Sequence, residues 1–282
     1  MGLPQGQKPP LGSQINWGHS LSRGLVGAWL MNEGAGTSLK DLAFGTKLSF
    51  KSSNIYWSPL LTSPLKSNGA NSQADITAPT RFKNDEVTII WSGVVFGNGI
   101  LNNSPLFLGI AYDDNDTAPY LSCSIGRSSS SPTTLVAFWN NGSFRQIGMT
   151  GAITYGEKVQ YVFTISKSRG SANVYKNGVL IGTNTSDVGT ISYSATSKLV
   201  LCGHGKLATN DLASNSNYGY IFNRALSPQE IRQLYIDPYC FIKQGRILKV
   251  TSASCALTGT ITNDTEADIV TGGSTIILTL TG

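Results

Sequence analysis

The sequence predicts an all-β protein, an antiparallel sandwich with one short helix towards its C-terminal end. Short runs of β-branched and aromatic residues recur along most of the chain, and strands do not alternate with helices as they do in α/β proteins. Only 13% of the 282 residues are charged, and 31 are glycine. This composition is typical of short strands joined by many turns, with a surface made polar by hydroxyl and amide groups.

The N-terminal segment, residues 1–20, is rich in proline and glycine and shows no hydrophobic period. It is therefore expected to be an extended arm outside the core. The pattern then changes, and residues 21–244 are expected to form one domain without internal repeats. Its first strand is predicted in GLVGAWLMNEG, residues 24–34, where Leu25 and Trp29 are core candidates.

The middle of the domain carries further strand patterns. Their expected positions are residues 86–96, 104–112, 133–144, 159–168 and 198–203. The clearest local pattern is ANVYKNGVLIGT, residues 172–183, in which two alternating runs flank Asn177-Gly178. Both central positions of a type I′ turn need φ > 0, which asparagine and glycine adopt at little cost. A β-hairpin is therefore predicted here.

The single helix is predicted in GYIFNRALSPQEIRQLYIDPY, residues 219–239. Ser227 is the expected N-cap, Pro228 suits the first helical position, and Glu230 completes a capping box. Asp237-Pro238 should end the helix, because the residue before a proline avoids helical geometry. Its apolar contacts are expected from Leu226, Ile231, Leu234 and Tyr235.

The last segment, residues 245–282, has two or three strand-like runs and a predicted turn at Gly272-Gly273. Its final run, STIILTLT, is β-prone and almost uncharged, so it is an aggregation hazard unless another strand pairs with it. The partner is expected either in a small sheet of this segment or in another subunit. The segment is accordingly predicted to serve docking or oligomerisation.

Three motifs together carry a family resemblance. LVGAWLMNEGAGTSLKDL, VYKNGVLIGT and IFNRALSPQEIRQLY occur in the order and spacing of the LamG-like, concanavalin A-type jelly rolls, and residues 21–244 resemble that family. The resemblance implies two antiparallel sheets packed face to face, closed by the short helix, with ligands bound at the concave face and the rim loops. The fold hosts many functions, so function has to be argued from sites.

The two terminal segments carry a second resemblance. PPLGSQINWGHSLSRGLVGAW and TGTITNDTEADIVTGG are similar to segments of tailed-phage virion proteins. This resemblance implies a capsid decoration protein or a tail or fibre component. Its partners would be other virion proteins or copies of itself, docked through the N-terminal arm and the C-terminal strands.

The acidic residues do not form a recognisable catalytic pair. Jelly-roll glucanases carry an ExDxxE strand, which sets a nucleophile and an acid/base on one face, and this motif is absent. Asp85 and Glu86 are adjacent, so in a strand they would point to opposite faces. The other candidate catalytic residues stand alone: Glu157, Glu230, Glu266, His19 and His204. We therefore expect a protein that is not an enzyme.

Calcium is the one ion that the sequence suggests, although no cofactor is required. YDDNDTAPY, residues 112–120, offers Asp113, Asp114 and Asp116 as oxygen ligands, but it lacks the glycine and the final glutamate of an EF-hand. The alternative is a solvated hairpin tip that uses aspartate and asparagine for turn formation. Asp41 matches a position that often helps to hold calcium in the resembling family, although LAFG follows it here instead of S-x-G.

A sugar site needs an exposed aromatic ring beside amides or carboxylates, because the ring stacks on a pyranose and the polar groups read its hydroxyls. Trp139, Asn140 and Asn141, together with Tyr112, fit this description. The alternative is that Trp139 belongs to the core at the end of a strand.

Charge, cysteine spacing and hydropathy exclude several classes of protein. The net charge is +5, but the basic residues are scattered, so no nucleic-acid site is expected. The four cysteines show no zinc spacing: Cys123 and Cys202 are expected to be buried, and a Cys240–Cys255 disulfide stays open. No apolar stretch is long enough to span a bilayer, and the N-terminus lacks a secretory signal pattern. The expected location is a virion assembled in the host cytoplasm.

These observations lead to three hypotheses. The first is a non-enzymatic phage virion structural protein whose lectin-like domain binds a host-surface glycan. The second is a carbohydrate-binding module of a larger secreted hydrolase. The third is a glycosidase with a non-standard carboxylate pair.

Overall fold

A computed structural model describes residues 8–58, 65–68, 73–96, 105–111, 121–128, 130–203 and 213–243, and the backbone of the short C-terminal strands. The described strands, in chain order, are β1 (Gln14–Ile15), β2 (Leu25–Trp29), β3 (Ser38–Lys40), β4 (Lys47–Phe50), β5 (Ile55–Trp57), β6 (Leu65–Asn68), β7 (Ala74–Thr77), β8 (Glu86–Val95), β9 (Leu106–Ala111), β10 (Leu121–Arg127), β11 (Leu135–Asn140), β12 (Phe144–Met149), β13 (Lys158–Ser166), β14 (Ser171–Lys176), β15 (Val179–Asn184), β16 (Lys198–Leu201), β17 (Ala213–Phe222), β18 (Ile242–Lys243), β19 (Leu248–Lys249), β20 (Ala267–Thr271) and β21 (Ser274–Leu278). One α-helix, α1 (Pro228–Ile236), and two short 3-10 helices, Ser20–Ser22 and Thr80–Phe82, accompany them. The predicted all-β class with a single short α-helix is thus confirmed for the described residues.

Two large antiparallel sheets form the sandwich. The front sheet has eight strands in the order β12-β11-β10-β9-β16-β7-β4-β3. The back sheet runs β15-β14-β13-β8-β17, and beyond β17 its edge is divided between two partners. The first half of β17 pairs with β6, which pairs with β5, whereas the second half pairs with β2. Such a pair of stacked antiparallel sheets is the architecture that the jelly-roll resemblance implies.

The main core fills the space between the two sheets with aromatic and branched side chains. Trp91 lies at its centre, with its ring 4.5 Å from that of Phe107 and 6.2 Å from that of Tyr161. Trp29 and Trp139 are buried in the same cluster. Strand alternation explains this composition, because every second residue of each strand points towards the opposite sheet.

Helix α1 covers the outer face of the back sheet and forms a second core with it. Ile231 and Leu234 are buried there with the tyrosines of β17. The predicted capping box is confirmed: the Ser227 hydroxyl accepts a hydrogen bond from the Glu230 amide, and the Glu230 carboxylate accepts one from the Ser227 amide. Tyr235 was expected on the buried face, and this prediction is wrong. Its side chain lies beside the turn between β14 and β15 and stays 42% exposed.

The hairpin of β14 and β15 has the predicted turn. Asn177 and Gly178 both have positive φ angles, 52° and 77°. The two strands pair directly on either side of them, beginning with Lys176 opposite Val179. The type I′ prediction is confirmed because the backbone adopts the left-handed conformation at the two residues that tolerate it best.

The N-terminal arm, residues 1–20, is packed against the domain from Lys8 onwards, which corrects the expectation that it lies outside the core. β1 pairs with β18 in antiparallel register, and Ile15 joins the second core. The Lys8 ammonium donates a hydrogen bond to the Met31 carbonyl at 2.9 Å, and the Asn32 side chain donates one to the Pro9 carbonyl at 2.8 Å. A proline-rich segment without periodicity can thus still be ordered when its polar groups find tertiary partners.

The C-terminal segment, residues 245–282, contains its own three-stranded sheet, ordered β19-β20-β21. β19 pairs with β20 in parallel, and β20 pairs with β21 in antiparallel register, with Thr271 opposite Ser274. The last predicted strand therefore finds a partner within its own segment. The turn expected at Gly272-Gly273 lies outside the described residues.

Candidate functional site

Trp139 and Asn140 do not form the sugar site that the sequence predicted. Trp139 is fully buried between the sheets, with its ring 6.2 Å from that of Phe163. Asn140 is also buried, and its side-chain oxygen accepts a hydrogen bond from the Gly142 amide at 2.9 Å. The prediction is wrong for these two residues because the strand turns the indole towards the core and the turn uses the amide. Tyr112 lies outside the described residues.

Asn141 remains at the surface, but its side chain is engaged. Its amide nitrogen donates to the Asp187 carbonyl, and its oxygen accepts from the Ser143 amide at 3.4 Å. Arg145 lies close by and forms an ion pair with Asp187 at 3.4 Å. Phe144 is the exposed ring of this hairpin, with 43% of its surface accessible. The exposed ring of this hairpin is thus Phe144 rather than the predicted Trp139.

The Asp41 carboxylate is a structural group, which corrects its assignment as a calcium ligand. Asp41 is fully buried, and one of its oxygens accepts hydrogen bonds from the Ala28 and Ala43 amides, both at 2.8 Å. Its other oxygen lies 3.3 Å from the Arg81 guanidinium. Burial raises the pKa of Asp41, and the two amides and Arg81 counter part of that shift. The carboxylate fastens β2 to the loop after β3 and leaves no oxygen for an ion.

The other metal candidates, Asp113, Asp114 and Asp116, lie outside the described residues. Among the residues that the structure describes, no group of three acidic, histidine or cysteine side chains is arranged to hold a metal ion. Cys123 and Cys202 are buried free thiols, as predicted, and Cys240 is a free thiol as well.

Asp85 and Glu86 are occupied by structural contacts. Asp85 accepts a hydrogen bond from the Ile191 amide at 2.7 Å and forms an ion pair with Lys167 at 3.2 Å. Glu86 accepts one from the Ser168 amide at 2.8 Å. Burial raises the pKa of Glu86, but hydrogen bonds from Ser168 and Ser166 outweigh it and hold the pKa below its usual value. Both carboxylates therefore tie strand ends to neighbouring loops.

A cleft of about 370 Å³ opens where β4 of the front sheet approaches β5, the edge strand of the back sheet. Its lining is Gly36, Thr37, Phe50, Lys51, Ser52, Ser53, Ile55, Tyr56 and Trp57. We call it the aromatic cleft, because three of these residues carry rings. Its volume lies within the range of small-ligand sites in proteins, about 300–1,000 Å³.

The rings of the aromatic cleft are held by packing and hydrogen bonds. The centroids of Phe50 and Trp57 are 5.7 Å apart with their planes tilted by 47°. The Trp57 indole donates a hydrogen bond to the Gly36 carbonyl at 2.9 Å, which fixes its orientation. Tyr56 points the opposite way along β5 and is 37% exposed, with its hydroxyl 3.4 Å from the Asn68 side-chain oxygen.

Polar groups surround these rings. The Lys51 ammonium forms an ion pair with Asp75 at 2.9 Å. Asp75 is itself buried and accepts a second hydrogen bond from Gln73 at 2.7 Å. Lys51 remains half exposed at the cleft, beside the hydroxyls of Ser52 and Ser53. Ring faces next to hydroxyl and ammonium donors are the combination that binds a sugar.

A second cleft, of about 580 Å³, lies between β12 and β15, the edge strands at the other side of the sandwich. Met149, Ile147 and Ile181 line it together with backbone and small side chains, and no aromatic ring contributes. Its one charged side chain, Lys176, is paired with Glu157 at 3.2 Å. This larger cleft therefore offers no aromatic stacking surface to a sugar.

Comparison of the sequence with protein-family models gives no match, and comparison with curated proteins gives none either. The fold is similar to solved structures. Trypanosoma rangeli sialidase superimposes with a TM-score of 0.56 at 17% identity, over 77% of this chain and 33% of the sialidase. The binding domain of Paraclostridial Mosquitocidal Protein 1 gives 0.55 at 18% identity, over 77% and 52% of the two chains.

The botulinum neurotoxin serotype D ligand binding domain, solved in complex with N-acetylneuraminic acid, gives 0.54 at 12% identity, over 75% and 50%. The chain thus spans a third to a half of the proteins that it resembles. At these identities the likeness shows a shared β-sandwich fold. Among the described helices, none has the length and apolar character needed to span a membrane.

The aromatic cleft was not predicted from the sequence. Its signal is the segment SFKSSNIYW, residues 49–57, which combines three aromatic residues with serine, lysine and asparagine. The segment lacks the length of a core strand, and aromatic residues within a polar loop are a pattern that sugar sites use. Only the pairing of β5 with β6 shows that its rings reach the surface at a sheet edge.

Proposed function

We propose that the protein is a glycan-binding protein without catalytic activity, and that the aromatic cleft holds the sugar. The observation that carries the proposal is the fixed arrangement of Trp57 and Phe50 beside the exposed Tyr56 and the Lys51 ammonium. Such a surface binds the apolar face of a pyranose and leaves hydroxyl and ammonium donors for its oxygens.

The similar structures support this proposal at the level of the fold. One of them is a ligand binding domain solved with N-acetylneuraminic acid, and another is a sialidase. The two adjacent acidic residues Asp85 and Glu86, which were not expected to form a catalytic pair, each accept a hydrogen bond from a backbone amide. These contacts support our proposal of a binding protein rather than a hydrolase.

The place of action that we propose is a tailed-phage virion, with the protein serving as a capsid decoration or a tail or fibre component. The proposal rests on the resemblance of the two terminal segments. It draws support from the C-terminal sheet, whose last strand, β21, has a partner on one side only among the described residues. Such an edge can dock onto another virion protein or onto a second copy.

A second candidate is a carbohydrate-binding module of a larger secreted hydrolase. The observation that favours it is the comparison with the sialidase, because this chain covers only 33% of that enzyme's length. In both candidates the aromatic cleft performs the same step, which is the binding of a sugar.

The test is a glycan array probed with the full chain, followed by titration of the best glycan against Tyr56→Ala and Trp57→Ala. We expect each variant to weaken binding at least about tenfold, as the loss of a stacking ring does. Phe144→Ala is the matched control, because it removes an exposed ring from the distant hairpin. Unchanged binding by the folded Tyr56→Ala and Trp57→Ala variants, or loss of binding by Phe144→Ala alone, would overturn the assignment of the cleft.

A further inference from the structure

A row of five side chains crosses the back sheet beside the aromatic cleft. The row is set by strand register: Tyr56 of β5 lies opposite Lys66 of β6, and Lys66 lies opposite Asn215 of β17. Asn215 in turn lies opposite Val94 of β8, which lies opposite Lys158 of β13. Directly opposed residues of antiparallel strands project from the same face of a sheet, so these five are neighbours.

The row lies on the outer face of the sandwich. The neighbours of its members along each strand lie on the core side: Ile55, Leu65 and Val95 are core residues, and Trp57 is partly buried and packs against the core. The row spans about 19 Å, since neighbouring strands lie ~4.8 Å apart. That length accommodates a short oligosaccharide rather than a single sugar. We call these five residues the lysine row.

The lysine row carries two positive charges, at Lys66 and Lys158. Tyr56 and Lys158 are exposed, and Lys66 and Asn215 are half-buried. Among the described residues, no carboxylate forms an ion pair with Lys66 or Lys158, whereas Lys51, Lys167 and Lys176 are all paired. Asn215 places an amide between the two ammonium groups, with both a donor and an acceptor.

We propose that the aromatic cleft continues along the lysine row and that the site binds an acidic oligosaccharide. Tyr56 belongs to both parts and stacks on a sugar ring, Lys66 contacts a carboxylate of the glycan, and Asn215 binds hydroxyl groups of the next sugar. An ammonium group that donates to a carboxylate forms a charge-assisted hydrogen bond, which is about twice as strong as a neutral one. The inference rests on the glycan-binding function proposed above and names its ligand class.

The test compares acidic glycans with neutral counterparts. The full chain is titrated with 3′-sialyllactose and trigalacturonic acid, and with lactose and maltotriose. We expect at least one acidic glycan to bind about tenfold tighter than its neutral counterpart, a preference that weakens as added salt screens the charges. Lys66→Gln should lower the affinity for that acidic glycan about tenfold and leave the neutral counterpart unaffected.

Arg169→Gln is the matched control for Lys66→Gln. Arg169 is exposed and follows the C-terminal end of β13, whereas Lys158 lies at the N-terminal end of that strand. The substitution therefore removes one positive charge without changing the lysine row. The proposal is overturned if neutral glycans bind as tightly as acidic ones, or if Lys66→Gln binds the acidic glycan as wild type does. If neutral glycans still bind and Trp57→Ala abolishes that binding, the proposed glycan-binding function is retained although the acidic site is rejected. Absence of binding to all four glycans would overturn the acidic site.

Discussion

The roles of single residues in this protein become clear only from their contacts in the structure. The sequence motif made Asp41 a candidate metal ligand, yet one of its oxygens accepts hydrogen bonds from two backbone amides and the other faces Arg81. The Arg81 guanidinium also donates to the Thr46 hydroxyl and lies 4.6 Å from the ring centroid of Phe82 and 4.9 Å from that of Phe44. The group is therefore a buried clamp that joins β2, the loop after β3 and the segment before β8.

We predict that Asp41→Ala lowers the free energy of unfolding by about 3–5 kcal/mol, because it strands two buried amides and part of a guanidinium. Urea unfolding of the full chain measures it. Asp187→Asn serves as the control, since Asp187 forms an exposed ion pair with Arg145 and asparagine tolerates its positive φ. We expect that control to change stability by less than about 1 kcal/mol. An equally small effect of Asp41→Ala would show that the clamp contributes little.

The limits of sequence-based prediction are visible at the same scale. The apolar and aromatic run of residues 133–144 predicted a strand but did not show which of its faces would point inwards, so Trp139 could be either a stacking ring or a core residue. The opposition of Lys66 to Asn215 depends on the pairing of two strands that lie far apart in the chain. No local pattern carries that information, and the lysine row was therefore invisible in the sequence.

At the scale of elements, the sequence correctly predicted the features that depend on residues close together in the chain. The capping box of α1 and the turn at Asn177-Gly178 each involve residues within a few positions of one another, and both were predicted correctly. The N-terminal arm was not, because its order comes from tertiary hydrogen bonds to Met31 and Asn32. Composition alone cannot distinguish a terminal segment that stays in solvent from one that packs against the domain.

The docking of the arm should depend on pH. Burial lowers the pKa of Lys8 to about 7, although the Glu33 carboxylate raises it in part. The pKa of the folded state thus lies below the ordinary value of 10.5, so between these two pKa values the unfolded chain binds more protons than the folded protein. The free energy of unfolding should therefore rise as the pH increases from about 7 towards 10.

We predict that Lys8→Met removes this rise, as measured by urea unfolding at a series of pH values across that window. Lys47→Met, at an exposed position of β4, should keep it. Equal pH slopes for wild type and Lys8→Met would contradict the buried position of the Lys8 ammonium.

At the scale of the whole molecule, the protein combines a closed sandwich with a separate C-terminal sheet. The sandwich places its aromatic cleft at one sheet edge, while the C-terminal sheet ends in β21, which has one partner strand among the described residues. This division suits a protein that binds a ligand with one part and docks with another.

We predict that the full chain is oligomeric, with a mass by light scattering that is a multiple of 30.0 kDa. Removal of residues 245–282 should yield a monomer that still binds glycans, since the cleft and the lysine row lie outside that segment. A full chain that stays monomeric at every concentration would count against assembly through the C-terminal strands.

The divided edge of β17 also governs how the chain can be made. β2 precedes its pairing partner, the second half of β17, by about 190 residues, with Trp29 opposite Gly219. A nascent chain therefore carries an apolar strand without this partner while the intervening residues are synthesised, and this part of the back sheet cannot form before β17 is present. Long-range pairing of this kind slows folding and exposes intermediates to aggregation. The low content of charged residues adds to the risk of aggregation while β2 is unpaired.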